Sequence, residues 1–422
     1  MSQVKTDSVN RSLSPSELYK AMDEELKALK DSKAYKYEVL IDGRMGPTVN
    51  VGGKQVIMLA SNNYLGLANH PDVVKAAQKG IDEYGYGMSS VRFLCGTQKI
   101  HLELEDKIAS FVGQESAILH SSCFGANEAF FTAILQSDYN LANYNDMIFS
   151  DKLNHASIID GIRLARIACK NTLSKPYNHN DLGHLQELIK DTKSNDNYRL
   201  KIIATDGVFS MEGDYADLKA LTSLAKAENA LLFVDDSHST GVLGANGRGT
   251  SEQCDVLGQV DVITGTFGKA LGGAHGGFIA GKASLIEYIR QKSRPYTFSN
   301  TLAPMITMAS IKAIDILSSN NELVQKLHAN TAYFRKSIQE IGFKILPGIH
   351  PIVAIMLGET QTAQILSNEL LNHGVYIKGL WYPVVPKGEA RLRAQISASH
   401  SQSDLDKALM AFEKCGKSLK II

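Results

Sequence analysis

A lysine inside a glycine-rich run is the first residue of this chain whose setting could do chemistry: Lys269, in Thr264-Gly265-Thr266-Phe267-Gly268-Lys269-Ala270-Leu271-Gly272-Gly273. Glycines let the backbone close in on a bound group, and a lysine amine is a nucleophile and a base once it has lost its proton. The Gly-Lys pair does not make a nucleotide-binding loop, because Ile263 stands where that pattern needs its first glycine and Ala270 where it needs Ser or Thr. Asp235 and His238 form an Asp-x-x-His set directly after the apolar run Leu231 to Val234. A carboxylate at the end of a buried strand is costly unless it meets a cation or a strong donor. A protonated ring nitrogen is such a donor; a cap on the next helix is the other reading of Asp235.

These groups need elements to position them. Short apolar runs at Ala117-Leu119, Met147-Phe149, Ile202-Ala204, Leu231-Val234, Val262-Thr264 and Gly277-Ala280 alternate with helical periodicity between about Ser61 and Ala280. Each run is continuous rather than alternating, as expected for strands covered on both faces of a largely parallel sheet, so the fold class is α/β. Polar stretches follow five of them, where open α/β sheets bind ligands: Ser121-Ser122-Cys123-Phe124-Gly125-Ala126-Asn127, Lys152-Leu153-Asn154-His155-Ala156-Ser157, Asp206-Gly207-Val208-Phe209-Ser210-Met211, Asp235-Asp236-Ser237-His238 and Thr266-Phe267-Gly268-Lys269. Beyond Leu302 long helical stretches mix with strands near Pro351-Leu357 and Leu392-Ser397, which reads as a smaller α+β domain. The expected division is residues 1–60, a helix and short strands; 61–301, the large domain; and 302–422. At the front, Ser14-Pro15-Ser16-Glu17 starts a helix with a capping box. Its stripe of Leu18, Met22, Leu26 and Leu29 must pack on the main body or on a partner subunit.

Lys+Arg and Asp+Glu balance at 44 each in 422 residues, which removes the global field that would hold the chain on nucleic acid or an anionic membrane. Five scattered cysteines without a Cys-x-x-Cys pair argue against a disulfide framework and a zinc site. The first residues lack the apolar stretch of a secretory signal, Asp7 speaks against an organelle-targeting peptide, and no run reaches the roughly 18 apolar residues of a membrane span. A cytoplasmic protein is expected.

From about Ser61 onward the chain resembles the α-oxoamine synthases, pyridoxal-phosphate enzymes of aminotransferase fold type I. The resemblance is carried by SNNYLGL (61–67), SVRFLCGTQ (90–98), LNHASIIDG (153–161), TDGVFSMEGD (205–214), VDDSHSTG (234–241), GTFGKALGG (265–273), RPYTFSN (294–300) and YPVVPKGEARLRAQISASH (382–400). It implies pyridoxal 5′-phosphate as cofactor, with Lys269 as Schiff-base lysine and proton-transfer base, and Asp235 on the pyridine nitrogen. It further implies His238 and Ser210 on the ring's phenolic oxygen and His155 stacked on its face. The phosphate would sit on the amides of Cys123 and Phe124 with the Thr266 hydroxyl, and would be reached by Ser299 and Asn300 of a second subunit in a homodimer with shared active sites. Asn62 and Arg393 would hold the amino-acid substrate; alternation along a strand puts Arg391 on the same face, and the resemblance favours Arg393. SVRFLCGTQ, RPYTFSN and YPVVPKG point to the members that condense glycine with acetyl-CoA to 2-amino-3-oxobutyrate and CoA, a reversible step of threonine breakdown. Sister members take a longer acyl-CoA or another small amino acid, and some have lost the lysine and become silent subunits. Gly125, where an acidic residue is common, His275, where a small one is, and the stretches 136–145 and 31–47 depart from the pattern.

Overall fold

The computed structural model describes residues 12–32, 34–141, 144–192 and 198–422. The chain begins with helix α1 (Pro15–Asp31), strands β1 (Thr48–Val51) and β2 (Lys54–Met58), and helices α2 (Pro71–Tyr84) and α3 (Lys99–Phe111). Strand and helix then alternate through β3 (Ser116–His120), α4 (Cys123–Gln136), β4 (Asn145–Asp151), α5 (Ala156–Ala168), β5 (Thr172–Tyr177), α6 (Leu182–Thr192), β6 (Tyr198–Asp206) and α7 (Leu218–Ala227). They continue through β7 (Leu231–Asp235), the single turn α8 (Thr250–Gln253), β8 (Val262–Thr266) and β9 (Gly277–Gly281). Helices α9 (Ala283–Lys292), α10 (Arg294–Thr297), α11 (Pro304–Ser319) and α12 (Glu322–Ile341) follow. The chain closes with β10 (Ile352–Gly358), α13 (Thr360–Asn372), β11 (Val375–Tyr376), β12 (Lys378–Leu380), β13 (Ala390–Gln395) and α14 (Gln402–Ser418).

The central sheet has seven strands in the order β3-β9-β8-β7-β6-β4-β5. All neighbours are parallel except β9, which runs antiparallel to both β3 and β8. The continuous apolar runs have their reason in two buried faces. Leu119, Met147, Phe149, Ile203, Leu232, Val234 and Ile263 join one core with α2, α3, α7 and α11, while Ile118, Ile148, Ile202, Phe233 and Val262 join a second with α4, α5 and α9. This is the mostly parallel α/β sheet that the sequence leads one to expect. The edge strand β5, TLSKPY, was not expected from the sequence: it carries Pro176, which only an edge tolerates, and its mixed polarity gives no apolar run.

A second body forms on β10, β13 and β12, an antiparallel sheet packed with α12, α13 and α14 around Phe334, Ile355, Leu366, Leu392 and Phe412. The front of the chain is tied to it, since β2 pairs in parallel with β11. Helix α11 packs instead on α2 and α3. Helix α1 has the expected capping box, with the Ser14 side chain accepting from Glu17 N, but none of its residues is buried. Leu18, Met22, Leu26 and Leu29 stay exposed in the single chain, so the main body does not cover their stripe. Of the departing stretch 136–145, the described part is anchored by Arg199, which pairs with Asp146 at 2.5 Å and lies 3.9 Å over the ring of Tyr144. Among the described residues no helix is long and apolar enough to cross a membrane.

Candidate active site

The carboxyl ends of β4, β6, β7 and β8 and the start of α4 converge on a cavity of about 250 Å³ lined by Ser122, Cys123, Phe124, His155, Asp206, Ser210, Asp235, His238, Thr266 and Lys269. Parallel strands all deliver their following loops to one sheet edge, which brings segments more than a hundred residues apart into one place. Lys269 follows β8 in a loop whose far end returns as β9: Phe267 N donates to Gly276 O at 3.0 Å, and Thr266 pairs with Gly277. Phe267, Ala270 and Leu271 are buried and pin the loop, leaving the Lys269 side chain to the cavity. Burial lowers its ammonium below the usual lysine range, against the opposing pull of Asp235 and Asp206.

Asp235 ends β7 and is 5 % exposed. One of its oxygens accepts from Asn127 Nδ2 at 2.6 Å and the other from Ser237 N at 3.0 Å. Asn127 is wholly buried on α4, donates also to Ser157 Oγ at 2.8 Å, and accepts from Thr264 Oγ1 at 2.7 Å. Ser157 Oγ in turn lies 2.7 Å from His155 Nδ1, so one hydrogen-bonded chain runs from Asp235 through Asn127 to His155. His155 caps α5, and its amide donates to Asp206 Oδ2 at 2.9 Å. Burial and the neighbouring Asp235 push the Asp206 carboxyl well above the usual range. Burial and Asp235 likewise raise the Cys123 thiol, which keeps its proton while Ser237 Oγ bonds its sulfur at 3.2 Å.

His238 is held neutral by burial and by the charge of Lys269. Its Nδ1 lies 3.0 Å from the Tyr64 hydroxyl, itself kept protonated by burial. His350 Nε2 meets the His238 carbonyl at 2.9 Å. His238 Nε2 has no hydrogen-bond partner among the described residues. Asn62 Oδ1 lies 3.4 Å from the same Tyr64 hydroxyl. The two arginines of β13 both reach the turn after β6, as alternation requires, but their states differ. Arg391 is 1 % exposed and consumed by Glu212 at 3.3 Å, Glu389 at 2.8 Å and Met211 O. Arg393 gives one hydrogen bond to Ser210 O at 2.8 Å and is partly exposed.

Helix α4 starts at the cavity wall with Ser122 as its cap, whose hydroxyl takes Gly125 N at 3.0 Å. The amides of Cys123 and Phe124 have no hydrogen-bond partner among the described residues, the arrangement that receives an anion. Gly277 backs this turn so closely that a Cβ there would sit 2.3 Å from Cys123 N. Thr266 Oγ1 lies on the wall, donating to Gly276 O at 3.1 Å. Ser299 and Asn300 are not brought to this cavity by their own chain; they lie beside Arg92, His120 and Ser121. His275 is exposed on the Lys269 loop, and a Cβ on Gly125 would meet only Ser122 Oγ, at 3.5 Å. Reasoning from sequence placed Asn127, Ser157 and Tyr64 in the polar stretches and motifs but gave none of them a role. A polar amide one turn after Cys123 in the otherwise apolar AFFTAIL helix is the signal that could have found Asn127.

Residues 54–412 match the aminotransferase class I and II family. The chain is 46% identical over 407 residues, covering 96% of it and 99% of the relative, to 2-amino-3-ketobutyrate coenzyme A ligase of Escherichia coli K12. It is 42% identical over 399 residues (94% and 97%) to 8-amino-7-oxononanoate synthase of Thermoanaerobacter pseudethanolicus. The structure of serine palmitoyltransferase from S. paucimobilis with a bound PLP-myriocin adduct superposes with a TM-score of 0.85 at 28% identity, covering 97% of this chain and all of that one. The chain therefore belongs to the aminotransferase class I and II family, in its α-oxoamine synthase group. Its cofactor is pyridoxal 5′-phosphate, and the residues fit it: unpartnered amides for the phosphate, a buried carboxylate for the ring nitrogen, and a lysine of lowered pKa between them.

Proposed function

We propose that this protein joins glycine to acetyl-CoA, giving 2-amino-3-oxobutyrate and CoA, and runs the reverse cleavage in threonine breakdown. The observation that carries the reading is one cavity holding a depressed lysine, a buried aspartate and a neutral histidine, in a chain 46% identical along almost its whole length to a 2-amino-3-ketobutyrate coenzyme A ligase.

When bound, pyridoxal 5′-phosphate supplies a carbonyl for the amine of glycine and an electron sink for the charge left at its Cα. Cys123 N and Phe124 N would hold its phosphate at the start of α4, where the helix dipole favours the anion, with the Thr266 hydroxyl turning to it from Gly276 O. Asp235, oriented by Asn127 and Ser237 N, keeps the ring nitrogen protonated. His238 and Ser210 would serve its phenolic oxygen, and His155 would cover its ring face. Arg393 and Asn62 hold the carboxylate of glycine; a guanidinium with most of its donors uncommitted can grip it with two parallel bonds, which Arg391, already bonded to Glu212 and Glu389, cannot. Lys269, whose burial disfavours the ammonium, accepts the Cα proton through its neutral amine. The electron pair forms the C–C bond to the acetyl carbonyl, the thioester C–S bond breaks, and CoA leaves as the thiol after taking up a proton.

The working unit in this reading is a homodimer. The exposed stripe of α1 and the exposed Phe93, Leu94 and Phe298 suit a surface covered by a second copy, which would bring Ser299 and Asn300 to its neighbour's phosphate. All five cysteines are unpaired, as suits the reducing cytoplasm. One observation favours a sister activity with a longer acyl-CoA: Gly125 leaves open space on the first turn of α4, beside the cavity. Retention of Lys269 speaks against a silent subunit. The test is CoA release by holoenzyme offered glycine, alanine or serine with acetyl-CoA or longer acyl-CoAs. Release with glycine and acetyl-CoA is expected; release only with a longer chain or another amino acid moves the protein to the sister activity, and none with any pair overturns both readings.

A further inference from the structure

His179 lies in the turn after β5, outside the catalytic set, yet it bridges two of the turns that carry that set. Its Nδ1 lies 3.2 Å from Asp151 Oδ1 and its Nε2 2.9 Å from Asp214 Oδ2. Asp151 is the last residue of β4, and its carboxylate also takes Leu153 N at 2.8 Å and Asn180 N at 2.9 Å, shaping the turn that leads to His155. Asp214 closes the turn after β6, receives Asn180 Nδ2 at 2.7 Å, and takes Phe209 N on its carbonyl. The imidazole stands edge-on to the buried ring of Phe209, 4.3 Å between centroids, immediately before Ser210. The other side of this Ser210 turn is held from β13, by Arg391 on Glu212 and Arg393 on Ser210 O.

We propose that His179 is a positioning residue for this site: by joining Asp151 to Asp214 it locks the turn carrying His155 to the turn carrying Ser210 and so sets how the cofactor ring is held. The inference rests on the reading of the cavity as the cofactor site. Two carboxylates can both be satisfied only by an imidazolium, whose two ring nitrogens both donate. The groups facing it are Asp151 from β4 and Asp214 and Glu212 from the turn after β6, with Arg391 beyond Glu212. Burial alone would lower the His179 pKa, but Asp151 and Asp214 outweigh it and raise it to about 10. The clamp is therefore complete through neutral pH and loses one of its two donors as pH rises through that value.

The test is the visible circular dichroism of the Lys269-bound cofactor in the holoenzyme, followed with pH, beside the pH profile of kcat. The dichroism needs no acyl-CoA, so it reads the clamp even if the acyl-transfer assignment fails. Expected are a wild-type alkaline change near pH 10 and its displacement by at least one pH unit downward in Asp214→Asn, which removes one of the carboxylates that stabilise the cation. His179→Gln should alter the dichroic band at neutral pH, lower kcat roughly tenfold with little change in either KM, and abolish the change near pH 10. An alkaline change that stays in place in Asp214→Asn would overturn the proposal, because a group other than His179 would then be the one titrating. So would a His179→Gln holoenzyme with wild-type dichroism and kcat.

Discussion

Asn127→Ala removes the one side chain that links Asp235, Ser157 and Thr264, and its effect can be worked from their hydrogen bonds. Asn127 donates to the Asp235 carboxylate at 2.6 Å and to Ser157 at 2.8 Å, and accepts from Thr264 at 2.7 Å. A hydrogen bond to a charged group contributes about 2 kcal/mol and a neutral one about 1 kcal/mol, so the three together are worth about 4 kcal/mol if nothing relaxes. Water entering from the adjacent cavity recovers part of this, and a loss of about 3 kcal/mol is expected in urea unfolding of the apoenzyme, where no ligand linkage contributes. The second consequence is specific to function. Asp235 keeps only Ser237 N and the weak Cys123 thiol as partners, so its carboxylate is no longer aimed, and the cofactor should dissociate at least tenfold more readily, about 1.4 kcal/mol. Urea titration of apoenzyme and equilibrium dialysis of the cofactor measure the two terms separately. A variant that loses less than 1 kcal/mol and binds the cofactor as the wild type does would refute the claim that Asn127 orients Asp235.

Arg393→Ala should raise KM for the amino acid roughly a hundredfold, the size of a lost two-bond grip, while leaving stability nearly unchanged; steady-state kinetics and thermal unfolding check both. Arg391→Ala should do the reverse, destabilising by about 3 kcal/mol because it strands the half-buried Glu212, and moving KM little. Gly277→Ala forces a Cβ to within 2.3 Å of Cys123 N, and backbone on both sides leaves little room to yield, so cofactor retention after gel filtration should collapse. Lys269→Met should end acyl transfer yet stabilise the apoenzyme. The folded-state pKa lies below the unfolded value, so the wild-type chain gives up a proton on folding and gains stability as pH rises toward 10.5; the variant's stability should lack that slope in urea titrations between pH 7 and 10.

Much of this was legible because a parallel sheet writes itself plainly: strands buried on both faces are continuous apolar runs, and the chemistry follows their carboxyl ends. Asp235 and Lys269 could be found that way. What stayed hidden had a different physical origin. Strand β5 lies at an edge and carries Pro176, so it has no apolar run to give it away. The antiparallel sense of β9 is set by pairing partners far away in sequence, and a short apolar run such as GFIAG carries no mark of its direction. Tyr64 acts through a neutral side chain in a loop, with no local mark to set it apart from a packing residue, and Asn127 shows only as one amide among the apolar residues buried on its helix. The choice between Arg391 and Arg393 could not be made from alternation, since both lie on one face; it required knowing that Glu212 and Glu389 occupy the first.

The reversed direction of β9 has a consequence for how the reactive lysine moves. In an all-parallel sheet the segment after β8 would leave the rim, cross a face of the sheet and start its next strand at the opposite edge. Here it turns straight back, so the ten residues 267–276 are moored at both ends in the middle of the sheet, by Thr266 and by Gly277. Opening that loop requires breaking central strand pairs, which exchange their amide protons only on global unfolding. Under the proposed function Lys269 would therefore act by rotation about its own side-chain bonds, and hydrogen exchange at Phe267 should be among the slowest in the chain.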